Sequence, residues 1–526
     1  MLHYASLYLP FPAFLINIVA ETTLREYNNN HILMKNKLTL LGACCLGLLT
    51  ACQPQPQVSE WISTTYSQPW QTLPTSNITQ EVTENVIKIN TSQTAQAIEG
   101  FGTCFNELGW TSLNLLDSNE REDILNEMFT PGAGANFKIC RMPVAANDFS
   151  IDWYSYNETD GDFEMKNFSI ENDRKTLIPF INAAKQFNPD IRIWASPWCP
   201  PTWMKYNKHY ASRSTPSAAR QLSDRAKSGE STYMYKVIDN ELPEDRQGAE
   251  GTDMFIQDDK YMEAYALYFS KFIDAYRAEN IDIFAVMPQN EFNSAQIFPS
   301  CCWTAKGLAK FVGQYLGPAM EAKGVDVMFG TMERPNVALV DTILQDKDCA
   351  RYIKGVGFQW AGKDALPGVY QKYPDMKLYQ TEQECGDGKN DWKGALHSWD
   401  LMKHYLNNGV SVYTYWNTSL LKGGISRWGW AQNSLVVVDD STRTYTYTPE
   451  YYVMKHASHY VLSGARRIEL DGNYKDALCF INPDKSIVLI AGNSEGTEQK
   501  VTINIEGNNY TASLPANSLN TLVINK

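Results

Sequence analysis

Residues 284–291 read Phe284-Ala285-Val286-Met287-Pro288-Gln289-Asn290-Glu291, a strand-like apolar run that ends in polar residues. More runs of this kind follow along the chain, and helical patterns such as 259–276 and 394–406 fit between most of them. Strands that alternate with longer helices predict βα units and a parallel sheet. The other predicted strands are Phe101–Phe105, Phe137–Met142, Ile191–Ser196, Val327–Gly330, Gly355–Phe358, Leu378–Thr381 and Val412–Trp416.

The number of strands favours a closed barrel. Eight strands with intervening helices over residues 99–449 predict an α/β fold, the (β/α)8 TIM barrel. A doubly wound open sheet is the alternative, but no Gly-rich dinucleotide or phosphate loop follows any of these strands. On either side of the barrel, residues 61–98 and 450–526 carry short alternating strands separated by turn residues. We expect these two segments to form one side β-sandwich.

The residues before the first strand indicate export. A basic start at Met34–Lys37 precedes an apolar stretch that ends in Leu49-Thr50-Ala51-Cys52, the arrangement of a secretory signal. This ending resembles a bacterial lipobox, in which Cys52 becomes the lipidated first residue. The alternative is one buried helix, whose apolar run is too short to span a bilayer comfortably. The predicted segments are upstream translation from a mis-set start codon at 1–33, a lipoprotein signal peptide at 34–51 and a tether at 52–60.

A lipid anchor would place the protein in the bacterial cell envelope, and it would be the only contact with the membrane. The sequence leaves open whether the protein faces the outer surface or the periplasm. The formal net charge is −13, which disfavours nucleic acid as a partner and suits a neutral substrate. No CxxC pair occurs, and none of the seven histidines lies at a predicted strand end in ligand spacing. We therefore predict neither a metal nor a cofactor.

Two predicted barrel strands lead into a glutamate. Glu291 follows the fourth predicted strand, Phe284–Pro288, and Glu382 follows the seventh, two residues before a competing carboxylate, Glu384. Active sites in such barrels lie at the C-terminal ends of the strands. Glycoside hydrolysis needs two carboxyl groups, one to protonate the leaving oxygen and one to attack or to activate water. A separation of about 5–5.5 Å gives retention of configuration, and a wider one gives inversion.

Several longer segments match one known family. They are Glu99-Gly100-Phe101-Gly102, Arg141-Met142-Pro143, Asn147-Asp148-Phe149-Ser150, Ala195-Ser196-Pro197-Trp198, Pro201-Thr202-Trp203-Met204-Lys205, Gln289-Asn290-Glu291 and Thr381-Glu382. Together they resemble glycoside hydrolase family 30, which includes lysosomal-type glucosylceramidases and microbial β-1,6-glucanases. The resemblance covers about residues 85–526. It implies a (β/α)8 barrel with a side β-sandwich built from both chain ends, and a retaining mechanism.

The resemblance also implies roles for individual residues. Glu291 matches the acid/base, and Glu382 matches the nucleophile in preference to Glu384. Asn290 matches the partner of the sugar 2-hydroxyl, and Arg141 matches an arginine beside the nucleophile. The residues implied to contact the glucose in the cleaved subsite are Asp148, Trp198 and Trp416.

One departure from the family pattern bears on the substrate. Relatives of the glucosylceramidase type often have His-Trp-Tyr at the sixth strand, and this chain has Gln359-Trp360-Ala361. After the eighth strand, Trp428 and Trp430 are predicted to be exposed and to stack glucose units beyond the cleavage point. Both features favour a polysaccharide, and the predicted activity is that of an endo-β-1,6-glucanase. A glucosylceramidase-type β-glucosidase is the alternative.

Two further expectations concern the rest of the chain. A non-catalytic glycan-binding lipoprotein would need one of the two carboxylates to be missing. Both are present, so this class of protein is disfavoured.

Residues 207–258 form a long polar insertion after the third predicted strand. In a barrel this insertion would lie on the C-terminal face, either as one wall of a substrate groove or as a solvated loop without a role.

Overall fold

The computed structural model describes residues 56–215 and 239–525, in which the eight predicted strands close into a parallel barrel. The (β/α)8 fold is therefore confirmed, and the open sheet is excluded. In chain order, β1 (Gln57–Thr65), β2 (Gln71–Thr72) and β3 (Asn85–Ala97) precede the barrel. The barrel strands are β4 (Gly100–Cys104), β5 (Ile139–Val144), β6 (Arg192–Pro197), β7 (Ile283–Val286), β8 (Asp326–Met332), β9 (Ile353–Gln359), β10 (Leu378–Glu382) and β11 (Val410–Asn417).

Helices cover the outside of the barrel, and many of them begin at a polar side chain that caps the first turn, such as Asp117 and Thr304. A π-helical segment, Val312–Leu316, joins two of the helices. The described helices are α1 (Glu107–Leu113), α2 (Ser118–Phe129), α3 (Leu177–Phe187), α4 (Asp259–Ala278), α5 (Ala305–Phe311), α6 (Gly317–Lys323), α7 (Val337–Gln345), α8 (Lys347–Ala350), α9 (Leu366–Lys372), α10 (Trp392–Asn407) and α11 (Pro449–Ser458).

The side sheet combines both ends of the described chain, as predicted. After a three-stranded sheet of β12 (Ser419–Leu421), β13 (Val436–Asp439) and β14 (Thr444–Tyr447), the C-terminal strands are β15 (Arg466–Gly472), β16 (Ala477–Ile481), β17 (Ile487–Asn493), β18 (Gln499–Ile505), β19 (Asn508–Leu514) and β20 (Ser518–Asn525). The nine strands lie in the order β19-β18-β3-β15-β16-β17-β20-β1-β2. This sheet therefore encloses its own apolar core, which includes Trp61, Ile87, Leu489 and Leu522.

Two predicted boundaries need correction. Residues 57–60 belong to β1 rather than to the tether, because Val58 and Trp61 are buried and the strand pairs with β20. Residues 450–458 belong to α11 rather than to the sandwich, because Met454 and its neighbours pack into the core of the barrel. The predicted signal peptide and Cys52 lie outside the described residues. Among the helices of residues 56–215 and 239–525, none combines the length and apolarity that crossing a bilayer requires.

Candidate active site

The predicted carboxylates lie at the end of the barrel where the strands finish. Glu382 is the last residue of β10, and Glu291 follows β7 after four intervening residues. Between these two strands, β9 ends at Gln359. The C-terminal ends of parallel strands meet on one face of a barrel, so the three side chains reach a common site.

The segment that carries Glu291 is held by both neighbouring strands. The Asn290 backbone N–H donates to the Pro197 carbonyl oxygen at 2.7 Å, and the Glu291 backbone N–H donates to the Thr331 hydroxyl at 2.9 Å. Glu291 has a φ of 49°, in the left-handed region that non-glycine residues seldom occupy. Strained backbone of this kind occurs often at functional sites, where the surrounding contacts hold it in place.

One side-chain amide lies between the two carboxylates. Gln359 Nε2 is 3.1 Å from Glu291 Oε1 and 3.2 Å from Glu382 Oε2. Those two oxygens are therefore separated by at most the sum of the two distances, about 6.3 Å. Both glutamates are almost buried, each with 5% of its surface exposed. This upper limit lies below the separation of about 6.5–9.5 Å that an inverting pair of carboxyl groups requires.

Arg141 organises the side of the site that contains Glu382. Its guanidinium donates to Glu382 Oε2 at 2.7 Å and to Asn290 Oδ1 at 2.6 Å. The arginine is completely buried, and its guanidinium carbon lies 4.4 Å from the ring centre of Trp198 and 5.4 Å from that of Trp416. The fixed fork of arginine suits this double contact. A cation therefore lies beside Glu382, as the sequence predicted.

The electrostatic surroundings distinguish the two glutamates. Burial raises the pKa of Glu291 well above its usual range, and the nearby carboxylates of Glu333 and Glu382 raise this pKa further. Burial also raises the pKa of Glu382, but Arg141 and two side-chain N–H donors oppose that rise. An opposite charge favours the ionised form, and a like charge favours the protonated form. The surroundings therefore suit Glu382 as the anion and Glu291 as the proton donor.

Several polar atoms of the site lack partners among the described residues, including Arg141 Nε and Trp416 Nε1. Asn290 Oδ1 accepts hydrogen bonds from Arg141, Thr331 and Gln359, whereas no described protein group accepts from Asn290 Nδ2. Asp148 Oδ1 is buried without a hydrogen-bond partner in the described structure. Burial raises the pKa of Asp148 well above its usual range, and repulsion by Glu382 contributes to the rise. A sugar with several hydroxyl groups offers partners for Asn290 Nδ2 and Asp148 Oδ1.

The four predicted aromatic residues fall into two pairs, one beside Arg141 and one in the segment after the eighth barrel strand. Trp198 and Trp416 flank Arg141, with 5.1 Å between their ring centres, and both are almost completely buried. Trp428 was expected to be exposed, and this expectation is wrong. Trp428 is 2% exposed because it stacks on Trp153, which comes from the loop after β5, with 4.4 Å between ring centres. Trp430 is half-buried and contacts Phe298.

Glu384, the competitor of Glu382, has partners of its own. Lys363 Nζ donates to one of its oxygens at 2.7 Å, and His397 Nε2 lies 2.9 Å from the other. Burial acts to raise the pKa of Glu384, but the hydrogen bonds and charges of these two residues outweigh it and lower this pKa below its usual value. Neither Arg141 nor Gln359 contacts Glu384 within the described residues. Glu382 is therefore the carboxylate of this pair that lies near Glu291.

Three residues that contact the glutamates were not predicted as site residues from the sequence. Besides Gln359, Trp360 Nε1 donates to Glu382 Oε1 at 2.9 Å, and Gln296 Nε2 donates to Glu291 Oε2 at 3.1 Å. The Gln359-Trp360 pair was noted only as a departure from the family pattern. Its place at the end of a barrel strand was the signal that would have identified it. Gln296 lies in a loop and gives no comparable signal.

The described part of the long insertion lies beside the acid/base segment. The backbone N–H groups of Ser212 and Arg213 donate to the Gln296 carbonyl oxygen, and Glu250 pairs with Arg334. This agrees with the expected place of residues 207–258 on the C-terminal face, although residues 216–238 lie outside the described structure. Among the described residues, no three His, Cys, Asp or Glu side chains form a group that would hold a metal ion.

Both the barrel and the side sheet match domains of one known family. The sequence model of the glycosyl hydrolase family 30 TIM-barrel domain matches residues 98–246 and 244–461, and that of the family 30 β-sandwich domain matches residues 464–522. Lysosomal acid glucosylceramidase of Mus musculus is 26% identical over 437 residues, which cover 78% of this chain and 77% of that protein. Endo-1,6-β-D-glucanase neg1 of Aspergillus fumigatus is 25% identical over 454 residues, which cover 82% and 85%.

The fold has a similar counterpart among solved structures. The endo-β1,6-glucanase BT3312 superposes with a TM-score of 0.71, and the match covers 89% of this chain and 99% of that chain. The sequence identity is 23%, so this likeness concerns the fold.

Proposed function

This chain belongs to glycosyl hydrolase family 30, and from that membership we propose that it cleaves β-glucosidic bonds with retention. Glu382 is the nucleophile and Glu291 is the acid/base. The observation that carries the proposal is the single amide nitrogen of Gln359, which lies within hydrogen-bond distance of both carboxylates. Two carboxyl groups this close favour direct attack on the sugar over a mechanism with a water between them.

In the first step, a Glu382 oxygen attacks the anomeric carbon while the bond to the leaving oxygen breaks. Glu291 gives its proton to that oxygen, so the negative charge passes from Glu382 to Glu291. In the second step, Glu291 takes a proton from water, and the water oxygen displaces Glu382 from the anomeric carbon. Arg141 supports the first step because it stabilises the ionised nucleophile before attack.

Asn290 and Asp148 are the proposed contacts to the bound glucose. Asn290 Nδ2 is directed by the three hydrogen bonds that occupy the oxygen of the same amide. It serves as the donor to the 2-hydroxyl, a contact that strengthens in the transition state. The unpartnered Asp148 Oδ1 accepts from a second hydroxyl. Trp198 and Trp416 support this subsite through their packing on Arg141.

The proposed substrate is a β-1,6-glucan, cleaved within the chain. The Aspergillus relative carries this activity in its name, and so does the similar solved structure. Gln359 donates to Glu382 at the position where glucosylceramidase-type relatives often have His, and Ala361 stands at the position of their Tyr. Trp360, which this chain shares with that pattern, also donates to Glu382. Glucosylceramide is the second candidate, because the mouse lysosomal relative is similarly related.

We also propose that the protein is exported and anchored by a lipid on Cys52. The basic, apolar and small-residue order of residues 34–52 supports this proposal. Mass analysis of the membrane-extracted protein would reveal a diacylglycerol-modified Cys52 at its N-terminus. An unmodified protein that begins upstream of residue 52 would contradict the anchor.

Product analysis separates the two substrates. The purified enzyme is incubated in parallel with β-1,6-glucan, β-1,3-glucan, xylan and glucosylceramide in detergent. Oligosaccharides from β-1,6-glucan alone are expected. Release of glucose from glucosylceramide, with β-1,6-glucan left intact, would overturn the proposed substrate. The Glu382→Gln variant is the control for contaminating hydrolases in every reaction.

A further inference from the structure

We propose that Gln359 is a positioning residue that hydrogen-bonds whichever of the two glutamates carries the negative charge during the reaction. This inference rests on the proposed retaining mechanism. Gln359 ends β9, between the strand that leads to Glu291 and the strand that ends at Glu382. The Gln359 side chain therefore lies within reach of both carboxylates.

The orientation of the Gln359 amide is fixed by its neighbours. Its Oε1 faces Arg141 Nη1 at 3.4 Å and the Thr381 hydroxyl at 2.9 Å. A guanidinium has only donors, so the atom that faces Arg141 must be the acceptor oxygen of the amide. Nε2 is therefore directed towards Glu291, Glu382 and Asn290, which lie at 3.1, 3.2 and 3.1 Å.

Three acceptors surround the two hydrogens of this amide group. In the resting enzyme the charge is on Glu382, and after the first step it is on Glu291, because Glu382 has become a neutral ester. A hydrogen bond to an ionised acceptor is stronger than one to a neutral acceptor. With a small movement, the Gln359 amide can thus donate to ionised Glu382 before the first step and to ionised Glu291 after it. Because the amide is neutral, it leaves Glu291 free to hold its proton before the first step.

Gln296 provides a matched control within the same site. Its Nε2 donates to Glu291 Oε2 at 3.1 Å and to the Ser294 hydroxyl at 2.7 Å. Within the described residues it makes no contact with Glu382. Both residues are glutamines that donate to the acid/base, but only Gln359 also reaches the nucleophile.

The experiment compares Gln359→Met with Gln296→Met, since methionine keeps a similar volume and removes the amide. Loss of a donor to an anion raises the pKa of that carboxyl group. Gln359→Met is expected to move both limbs of the pH profile of kcat/KM to higher pH, and Gln296→Met only the basic limb. Neither substitution alters the other charged groups that act on the two glutamates, which are Arg141, Asp148, Glu333 and Arg334.

Rates of the two steps give a second readout. With an activated aryl β-glucoside, Gln359→Met is expected to lower kcat/KM, which reports glycosylation, and the deglycosylation rate, each by about 10- to 100-fold. Gln359→His restores one N–H donor and is expected to recover part of both losses. Movement of the basic limb alone in Gln359→Met would overturn the inference, and so would a loss of rate with neither limb moved.

A covalent trap keeps the failure of the inference distinct from that of the proposed function. The parent enzyme is incubated with an activated 2-deoxy-2-fluoro-β-glucoside, and its intact mass is measured. A mass increase of one fluoroglucosyl group, located on Glu382, is expected. An unlabelled parent enzyme that still hydrolyses the aryl glucoside would overturn the covalent mechanism, and the inference with it. Labelling of the parent together with unmoved pH limbs in the variants would overturn only the inference.

Discussion

Asp173 and Glu382 are both buried carboxylates of the barrel domain, and their partners differ in kind. Asp173 accepts hydrogen bonds from three phenols, those of Tyr154, Tyr156 and Tyr276, and burial raises its pKa to about 6. Glu382 instead has a guanidinium, an indole and an amide. A neutral set of donors accommodates a carboxyl group in either protonation state, whereas a cation favours the ionised one.

The two clusters also differ in what they leave unsatisfied. No side-chain atom of the Asp173 cluster is buried without a partner among the described residues. The cluster around Glu382 leaves Asp148 Oδ1 without one, a state that costs folding free energy unless a ligand satisfies it. Burial alone therefore does not identify a functional carboxylate. A nearby cation and unfilled hydrogen-bonding capacity distinguish the catalytic site from the structural one.

The largest expected effect is that of Glu382→Gln, which should lower kcat/KM by at least about 10⁴-fold because an amide cannot attack the anomeric carbon. Steady-state kinetics on an aryl β-glucoside would measure the loss. Glu384→Gln is the control and should keep most of the activity, since Glu384 is paired with Lys363 and His397. Equal inactivation by both substitutions would break the distinction between a catalytic and a paired carboxylate.

Glu291→Gln should have the next largest effect. Hydrolysis of glucan should fall by about 10²- to 10⁴-fold because the leaving oxygen no longer receives a proton. An activated aryl glucoside needs no such proton, and azide can replace the water that Glu291 would activate, so azide should restore turnover and form a glucosyl azide. Rescue of Glu382→Gln in place of Glu291→Gln would exchange the two roles.

Arg141→Lys should have an intermediate effect. An ammonium on a flexible stem cannot hold Glu382 and Asn290 in the geometry of a guanidinium, so kcat/KM should fall by about 10- to 100-fold. The acidic limb of the pH profile should move to higher pH, because weaker stabilisation of the anion raises the pKa of Glu382. A profile that keeps its acidic limb would mean that the cation acts only through packing on Trp198 and Trp416.

The smallest effect on catalysis is expected from Asp173→Asn, which tests the other side of the comparison. An amide nitrogen cannot accept from the phenols, so the free energy of unfolding should fall by about 2 kcal/mol. The rate constants of the folded enzyme should remain close to those of the parent. Urea denaturation and kinetics on the same samples would test this, and a lost activity with unchanged stability would assign Asp173 to the chemistry.

The pH dependence of stability sharpens this prediction. Folding raises the pKa of Asp173 from 3.8 to about 6, so the folded state binds the proton more tightly than the unfolded state does. The contribution of this group is therefore fully present below about pH 4 and is lost as the pH rises to about 6. The loss corresponds to about 3 kcal/mol. Asp173→Asn should remove this component from the unfolding free energy measured between pH 4 and 7.

Much of the fold could be predicted because its signals are local. Each predicted strand-like run overlaps the barrel strand found there, as Leu378–Thr381 overlaps β10. Glu291 and Glu382 could be placed at one site because the ends of parallel strands meet on one face. The start of β1 was missed because residues 57–60 are polar in part, and their pairing partner lies at the other end of the chain.

The missed parts of the site depend on contacts between distant segments. Trp428 is covered by Trp153, and no pattern near either residue predicts that stack. Gln359 was read by its difference from relatives, whereas its importance comes from its place between two strands that end in carboxylates. Gln296 reaches Glu291 through a loop, whose course a single sequence does not fix. Side-chain convergence of this kind requires coordinates.

The strand order of the side sheet has a consequence for the order in which the molecule is made. Strand β1 pairs along its length with β20, and β3 lies between β15 and β18. During synthesis the first strands must wait until the ribosome has delivered almost the entire chain before they find these neighbours. A stalled or clipped polypeptide that lacks β20 would therefore present an unpaired edge of β1 and an opened apolar core, a ready target for chaperones and proteases.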